Sequence, residues 1–567
     1  MQIVYHYRPK TRGPRSRHPD ISFPTDVTIW EWLFEESSKY CPIAKYPEKE
    51  LAGFVDAITK ERVSWKDVKV DASYISTVLA REYNLNSGDT VSLFSRNTIW
   101  YPVMLFAAMR VGGVVSGASP AYNVEEMTYA LRTANAKFIA THPASIDIAV
   151  EAARNAGIPK KHIFLLEGRV EGYTTIKELI GKGKRYGGSS QVPYHKIPQG
   201  KKNGDICALL SFSSGTTGLP KAVMISHQNV IAQSLQTEPI TPTDQKKVLG
   251  VLPMFHITGL IHGMHFPLVV NAEVVMIPVF DMETMLAAIT EYQIPEILVV
   301  PPILIRLMRD PIVDKYDLRC IKRIASGAAP VSEEILQLLK EKFPESGFKQ
   351  GHGMTESCSC ITAHPPWAYD YRNAHKVGTI VANTEVKVMK EDGTEADLGE
   401  PGEILARGPQ VVMGYLNNEK ATRETFDADG FLHTGDQGFV TIIDRIKELI
   451  KVKGIGVAPA ELEDLLLGHV AVDDCAVLAI PDELTGERPK AFVVVKQAHG
   501  ADEATGFDII AYVGKNKVRH KWIKEVEFVK EIPKNPSGKI LRRVLRDRAK
   551  MGRKGLVVAV QEPRARL

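Results

Sequence analysis

Helix-like stretches alternate with short apolar runs along most of the chain, and that rhythm restricts the fold more tightly than composition does. From about Trp65 to Ala140 the apolar runs are Val91 to Phe94, Tyr101 to Val111, Gly113 to Ala118 and Phe138 to Thr141. The rhythm returns with the short strands Ala208 to Phe212, Lys247 to Leu252, Glu273 to Ile277, Ile297 to Val300 and Arg323 to Ser326, and with helices such as Met282 to Tyr292 between them. Strands that alternate with helices bury their apolar faces by forming a sheet covered on both sides. The expectation is therefore an α/β chain with two doubly wound subdomains in succession, without a solenoid repeat.

Beyond about Ala374 the texture changes to β-runs broken by Gly, Asp and Pro, at Glu385 to Met389, Gly402 to Arg407 and Phe431 to Thr434. A small β-barrel or twisted sheet is expected there. After Arg445 comes a compact piece with helix Pro459 to Leu466, strands Asp474 to Ile480 and Ala491 to Lys496, and helix Phe507 to Val518. The expected division is a large body over 1–444 and a small mobile α+β domain over 445–567, hinged near 444–447. A length of 567 residues agrees, since it exceeds what one hydrophobic core organises.

Composition excludes several classes. Apolar residues at 44% and charged residues at 24% describe a globular chain, and a formal charge of +4 gives no basic footprint for nucleic acid. The six cysteines are scattered without zinc-site spacing or a secreted disulfide framework, so reduced intracellular thiols are expected. Apolar runs such as Ile297 to Ile305 are too short to span a bilayer, and no integral membrane segment is expected. The basic stretch from Arg8 to Arg17 leads into no apolar segment, so no signal peptide is read there. Ala565-Arg566-Leu567 has the small-basic-leucine form of a peroxisomal address, which implies a peroxisomal import receptor as partner.

The chemistry centres on Ser211-Phe212-Ser213-Ser214-Gly215-Thr216-Thr217-Gly218-Leu219-Pro220-Lys221, directly after an apolar strand. Small residues let backbone N–H groups approach phosphate oxygens, hydroxyls add donors and a possible Mg²⁺ ligand, and Lys221 adds a point charge. Gly-x4-Gly-Lys-Ser/Thr spacing is missing, which disfavours a kinase or P-loop ATPase.

With this string in view the sequence resembles the adenylate-forming superfamily, and within it the 4-coumarate–CoA ligases and related acyl-CoA synthetases. The resemblance runs from about Ile29 to Leu545 through motifs in order. After Ser213 to Lys221 these are Leu252-Pro253-Met254-Phe255-His256, Gly327-Ala328-Ala329-Pro330, Gln350-Gly351-His352-Gly353-Met354-Thr355-Glu356, Thr434-Gly435-Asp436, Asp444 to Gly454, and Pro536-Ser537-Gly538-Lys539.

The resemblance implies ATP-dependent activation of a small carboxylic acid to an acyl adenylate, then thioester formation with CoA. It assigns catalytic roles to Lys539, Lys451, Thr355 and Glu356, and Mg²⁺ contacts to Thr216 and Glu356. Nucleotide and CoA contacts fall to Ser213, Ser214, Gly215, Thr216, Thr217, Gly218, Lys221, Gly327, Ala328, Gln350, Gly351, His352, Asp436, Arg445, Lys447, Lys453 and Gly454. His256, Thr258 and Met354 are expected to line the acid pocket, Asp436 and Arg445 to hold the ribose, and Lys447 to serve as hinge.

Four departures from the family pattern stand out. The stretch Asp436 to Asp444 is several residues short, which leaves open a shift of Asp436 against Arg445. His352 replaces a tyrosine that commonly stacks on adenine, Gly456 replaces a glutamine, and Ala222 replaces a glycine. A carrier-protein thiol as acceptor, and a catalytically impaired relative that only binds nucleotide or acid, are the alternatives these departures keep in view.

Overall fold

The structure is a computed structural model, and it describes residues 16–213, 220–327, 331, 333–397, 399–438, 442–445, 448–452, 455–482, 485–535, 538–550 and 555–559. The expected phosphate-contact residues 214–218, with Ala328, Lys447, Lys453, Gly454 and the terminal tripeptide, lie outside these residues, and of Arg445 only the backbone is described.

The first sheet grows from the rhythm that opens at Trp65. Ser64 caps helix Trp65–Glu82 by accepting from the Asp67 N–H while the Asp67 carboxylate takes the Ser64 N–H. The helix then covers an eight-stranded sheet ordered Gly414–Tyr415, Lys221–Ser226, Cys207–Ser213, Val114–Ala118, Thr90–Phe94, Ala136–Thr141, Ile163–Leu165, Thr174–Thr175. One strand corrects the sequence expectation. Cys207–Ser213, expected to open the second subdomain, pairs parallel with Val114–Ala118 and belongs to the first sheet. The reverse holds for Gly53–Asp56, which pairs parallel with Glu273–Met276 far along the chain. Parallel pairing needs a long crossover, so chain order alone does not decide which sheet a strand joins.

That four-stranded sheet, Lys247–Gly250, Glu273–Met276, Gly53–Asp56, Arg62–Ser64, is buried on both faces. Phe54, Val274 and Met276 pack into one core and Val55, Val275 and Ile277 into the next, as a period of two residues requires. A five-stranded sheet follows, ordered Glu296–Val299, Arg323–Ser326, Gly347–Met354, Ser359–Ala363, Thr379–Ile380. Its central strand, Gly347–Met354, is parallel to one neighbour and antiparallel to the other.

Where a barrel was expected, Glu385–Met389, Gly402–Arg407, Leu432–Gly438 and Ile442–Arg445 form a four-stranded antiparallel sheet in that order. Closure of the first strand on the last is not seen among the described residues. From Ile450 onward the strands pair among themselves in a six-stranded sheet, with Val472–Asp482 laid along Gly486–Val495. Leu462 and Leu466 of helix Pro459–Leu467 and Ile509 and Val513 of helix Glu503–Asn516 fill a separate core there.

This C-terminal piece meets the body at several points among the described residues. The Arg309 guanidinium donates to the Leu467 carbonyl at 2.8 Å, and Gly538 sits against Pro302. Among the described residues no helix is long and apolar enough to cross a membrane.

Candidate active site

Ser213 and Lys221 end and begin adjacent antiparallel strands and face each other in register. Both line a cavity of about 570 Å³ between the body and the C-terminal piece. The Lys221 ammonium lies 4.5 Å from the centre of the Tyr415 ring, and the Tyr415 hydroxyl donates to Glu356 Oε1 at 2.8 Å. Glu356 is buried. Burial, and then the Glu356 charge, push the Tyr415 phenol well above its usual range and keep it a donor.

Thr355 and Glu356 follow the strand Gly347–Met354, which runs along the cavity with Gln350, Gly351, His352 and Met354 in its lining. The Gln350 side-chain amide donates to the Ala374 carbonyl. The imidazole of His352 is tied to Asp436, Nε2 to Oδ2 at 2.7 Å. Asp436 therefore has a neighbour that a stacking ring alone would not supply.

The shortened stretch before Arg445 leaves the pairing intact, because Asp436 stands directly opposite Arg445 and Gln437 opposite Asp444. The register shifts between Gln437 and Gly438, where Ile442 stands opposite Gly438 and its strand accommodates one extra residue.

Lys539 enters from the C-terminal piece. The Asn535 N–H donates to the Lys539 carbonyl at 2.8 Å, and the Lys539 N–H donates to Asn535 Oδ1 at 2.8 Å. Gly538 has a φ of +79°, and a side chain there would stand 3.1 Å from Pro302, so glycine lets the turn dock on the body. Asn535 and Lys539 line the same cavity as Ser213, Lys221, Glu356 and Asp436. Gly327 closes the wall at the end of strand Arg323–Ser326.

His256 and Thr258 also line it, with His256 Nδ1 accepting from the Thr258 N–H at 3.4 Å. Burial, and then the Lys539 ammonium, lower the His256 pKa to about 4, so the ring is neutral.

Lys451 is not brought into the cavity. It stands on the surface strand Ile450–Val452, its ammonium 3.7 Å from Glu391, and opposite Gly456 in a hairpin. Several lining residues escaped the sequence reading: Tyr415, Asn535, Glu296, Lys349, His262 and His364. Only Asn535 and Lys349 lay beside a recognised motif. The others look like ordinary core or surface positions until the sheets assemble.

Five histidines, His256 among them, share a consequence of burial. Exclusion of water is the chief cause that lowers the pKa of His227 to about 3 and of His256, His262, His265 and His364 to about 4, from an ordinary 6.5. Below pH 6.5 the unfolded chain binds protons that the folded chain refuses. Stability is thus full above that pH and is lost progressively as pH falls towards 4. The urea midpoint is expected to drop between about pH 7.5 and about pH 5.5. A midpoint that holds or rises over that interval contradicts the neutral histidines.

Comparison with known proteins agrees with this geometry. Residues 42–416 match the model of the AMP-binding enzyme family, and residues 461–539 that of the AMP-binding enzyme C-terminal domain. The chain is 35% identical over 549 residues to 4-coumarate–CoA ligase-like 1 of Arabidopsis thaliana, covering 94% of this chain and 96% of the relative. It is 34% identical over 552 residues to 4-coumarate–CoA ligase 5 of Oryza sativa subsp. japonica, covering 95% and 97%. Among solved structures, the ATP-bound RpMatB-BxBclM chimera B3 superposes with a TM-score of 0.79 at 25% identity, over 92% of this chain and 99% of the other. An anthranilate CoA ligase in complex with anthranoyl-AMP gives 0.80 at 23% identity, over 94% and 98%, a likeness of fold.

Proposed function

The chain belongs to the AMP-binding enzyme family, and from that premise we propose that it is an AMP-forming acid–CoA ligase whose first step takes place in the cavity closed by Lys539. It joins a carboxylic acid to AMP at the expense of pyrophosphate and then passes the acyl group to the thiol of CoA. One observation carries the reading: Lys539 from the C-terminal piece shares a cavity with Ser213, Lys221, Glu356 and Asp436 from the body.

Adenylation brings a carboxylate against an α-phosphate, so two anions that repel must be held in line. Lys539 provides the positive charge that reaches both. Lys221, stacked on Tyr415, faces the phosphates at the end of the hairpin, and Thr355 offers a hydroxyl to the α-phosphate. Asp436, clamped by His352, accepts from the ribose hydroxyls. Neutral His256 forms a wall beside the reacting carboxylate without adding a charge that would compete with Lys539.

Mg²⁺, when bound with ATP, supplies charge neutralisation at the phosphate oxygens. Buried Glu356 fits it, as one carboxylate with the remaining ligands from substrate and water is the usual arrangement for this ion. Among the described residues no three His, Cys, Asp or Glu side chains gather into a closed metal cage, in keeping with that open arrangement.

Thioester formation needs the acyl adenylate accessible to a thiol. Rotation of the C-terminal piece near 444–447 withdraws Lys539 and brings in the segment 451–454, so the surface position of Lys451 corresponds to the adenylating arrangement.

The test is release of pyrophosphate and of AMP from ATP and Mg²⁺ with a panel of aromatic and aliphatic acids, with and without CoA. Acid-dependent pyrophosphate, with AMP and a CoA thioester formed together when CoA is added, is expected. A thioester that forms only on a carrier-protein pantetheine would favour that acceptor, and ATP binding without AMP from any acid would overturn the ligase reading.

A further inference from the structure

One helix of the body meets the C-terminal piece at both of its ends. Helix Pro301–Arg309 follows strand Glu296–Val299, and Glu296 and Leu298 of that strand line the cavity. Ile303, Leu304 and Leu307 are buried and fix the helix to the body. Pro302 and Arg309 are seven positions apart, close to two full turns, so they share the opposite face of the helix, about 10 Å apart along its axis. A side chain at Gly538 would stand 3.1 Å from Pro302, and the Arg309 Nη2 donates to the Leu467 carbonyl at 2.8 Å.

The second contact has an electrostatic cause. Leu467 is the last residue of helix Pro459–Leu467, and the carbonyls of a last helical turn have no partner within the helix. The Gly468 N–H turns back to the Leu465 and Leu466 carbonyls, while the Leu467 carbonyl is met by a cation, which the helix dipole also favours at that end. Arg309 is aligned from the body side as well. The same Nη2 lies 3.5 Å from Glu334 Oε1, in the first turn of helix Glu333–Lys342. Gly468 fits closely against this carboxylate, because a methyl group there would stand 2.3 Å from Glu334 Oε2.

Lys451 and Glu391 also meet across the boundary, at 3.7 Å, but both side chains are more than half exposed, and such ion pairs contribute little. The orientation of the C-terminal piece thus rests on the two points of one helix face. The contact of Gly538 with Pro302 sets where the Lys539 turn rests. The contact of Leu467 with Arg309, two turns away, keeps the piece from pivoting about that point.

We propose that Arg309 is a positioning residue for adenylation. By capping the Leu467 carbonyl, with Glu334 aligning it, Arg309 holds the C-terminal piece in the orientation that puts Lys539 in the cavity, and it gives up that carbonyl when the piece rotates for thioester formation. Arg309 is not among the residues that line the cavity, so it acts through this orientation. This rests on the ligase reading above.

The experiment compares full-length Arg309→Met, Arg309→Lys, Gly468→Ala and the Arg309→Met, Gly468→Ala double variant with the unaltered chain, on an acid that supports pyrophosphate release. Adenylation is read by pyrophosphate exchange, resolved into kcat and KM, and the second half by thioester formation from synthetic acyl adenylate and CoA. In Arg309→Met the kcat of exchange is expected to fall by about fivefold to tenfold with KM within about twofold, while thioester formation is unchanged or faster. Arg309→Lys, which keeps a charged donor, is expected to stay within about threefold of the unaltered chain. Gly468→Ala, which displaces Glu334, is expected to lower exchange alone, and the double variant to fall no more than about twofold below Arg309→Met, because both changes act on one contact. The proposal is overturned by exchange in Arg309→Met within twofold of the unaltered chain, by equal loss of both half-reactions, or by losses that multiply in the double variant. If Arg309→Met does not fold, Gly468→Ala decides by the same split between the half-reactions. Exchange with no acid in the unaltered chain would sink the ligase reading and this inference with it, whereas exchange that the variants leave unmoved sinks this inference alone.

Discussion

Acyl-adenylate formation is expected to fall by about two to four orders of magnitude in Lys539→Ala, while thioester formation from a supplied acyl adenylate and CoA stays within about threefold of the unaltered chain. The asymmetry follows from where the charge is needed. Two anions converge during adenylation, and in a cavity that excludes water a single ammonium aimed at both is worth far more than on a surface. Once the adenylate exists that repulsion is gone, and the lysine must leave for the thiol to enter. The turn that carries Lys539 is built from the backbone of Asn535 and Lys539 and from Gly538 against Pro302, so truncating the side chain leaves the docking contacts in place. The measurement is pyrophosphate exchange for the first half and thioester yield from synthetic adenylate for the second. Equal loss of both contradicts the division of labour.

Gly353→Ala is expected to destabilise the folded chain by about 4 kcal/mol or more and to remove adenylation with it. A methyl group at this position would lie 1.5 Å from the Ser359 carbonyl oxygen and 2.9 Å from Cys360 Cα, both backbone atoms that no side-chain rotation can move. The approach is close because the strand pair shifts register between His352 and Gly353, and because the chain turns back through Cys358 and Ser359 at φ values of 50° and 110°. Thr355 and Glu356 lie inside that return, so relief of the clash displaces them. Gly181→Ala is the control. Gly181 lies within helix Ile176–Arg185 with nothing near its would-be methyl, and alanine there is expected to raise stability by about 0.5–1 kcal/mol. Calorimetric midpoints of the two variants should move in opposite directions, and a Gly353→Ala midpoint near the original would show that the backbone yields.

Much of the candidate site was legible because it is local. Ser213 and Lys221 are the two ends of one hairpin, Thr355 and Glu356 end one strand, and Gly538-Lys539 lie in one turn, so contiguous strings announce them. The strand rhythm was legible for the same reason, with Met282–Tyr292, Arg323–Ser326, Glu385–Met389 and Gly402–Arg407 at the expected bounds. Sheet membership was not, as Cys207–Ser213 and Gly53–Asp56 show, because it depends on pairings between segments far apart in the chain. The short stretch before Arg445 was legible as a departure, but the register that sets Asp436 opposite Arg445 was not, because it is decided by pairing between strands.

By itself, then, the sequence determined the alternation of strand and helix and the strings in which Ser213, Lys221, Thr355, Glu356 and Lys539, all lining one cavity, lie. Those properties reside in neighbouring residues whose conformations and charges are set over a few positions. Only the tertiary structure decided that Tyr415 joins Lys221 to Glu356, that His352 holds Asp436, and that Lys349 pairs with Glu296 in the lining of the cavity. Each of these joins residues from different strands. A buried charge takes its meaning from the partners that desolvation forces upon it, and those partners are chosen by packing.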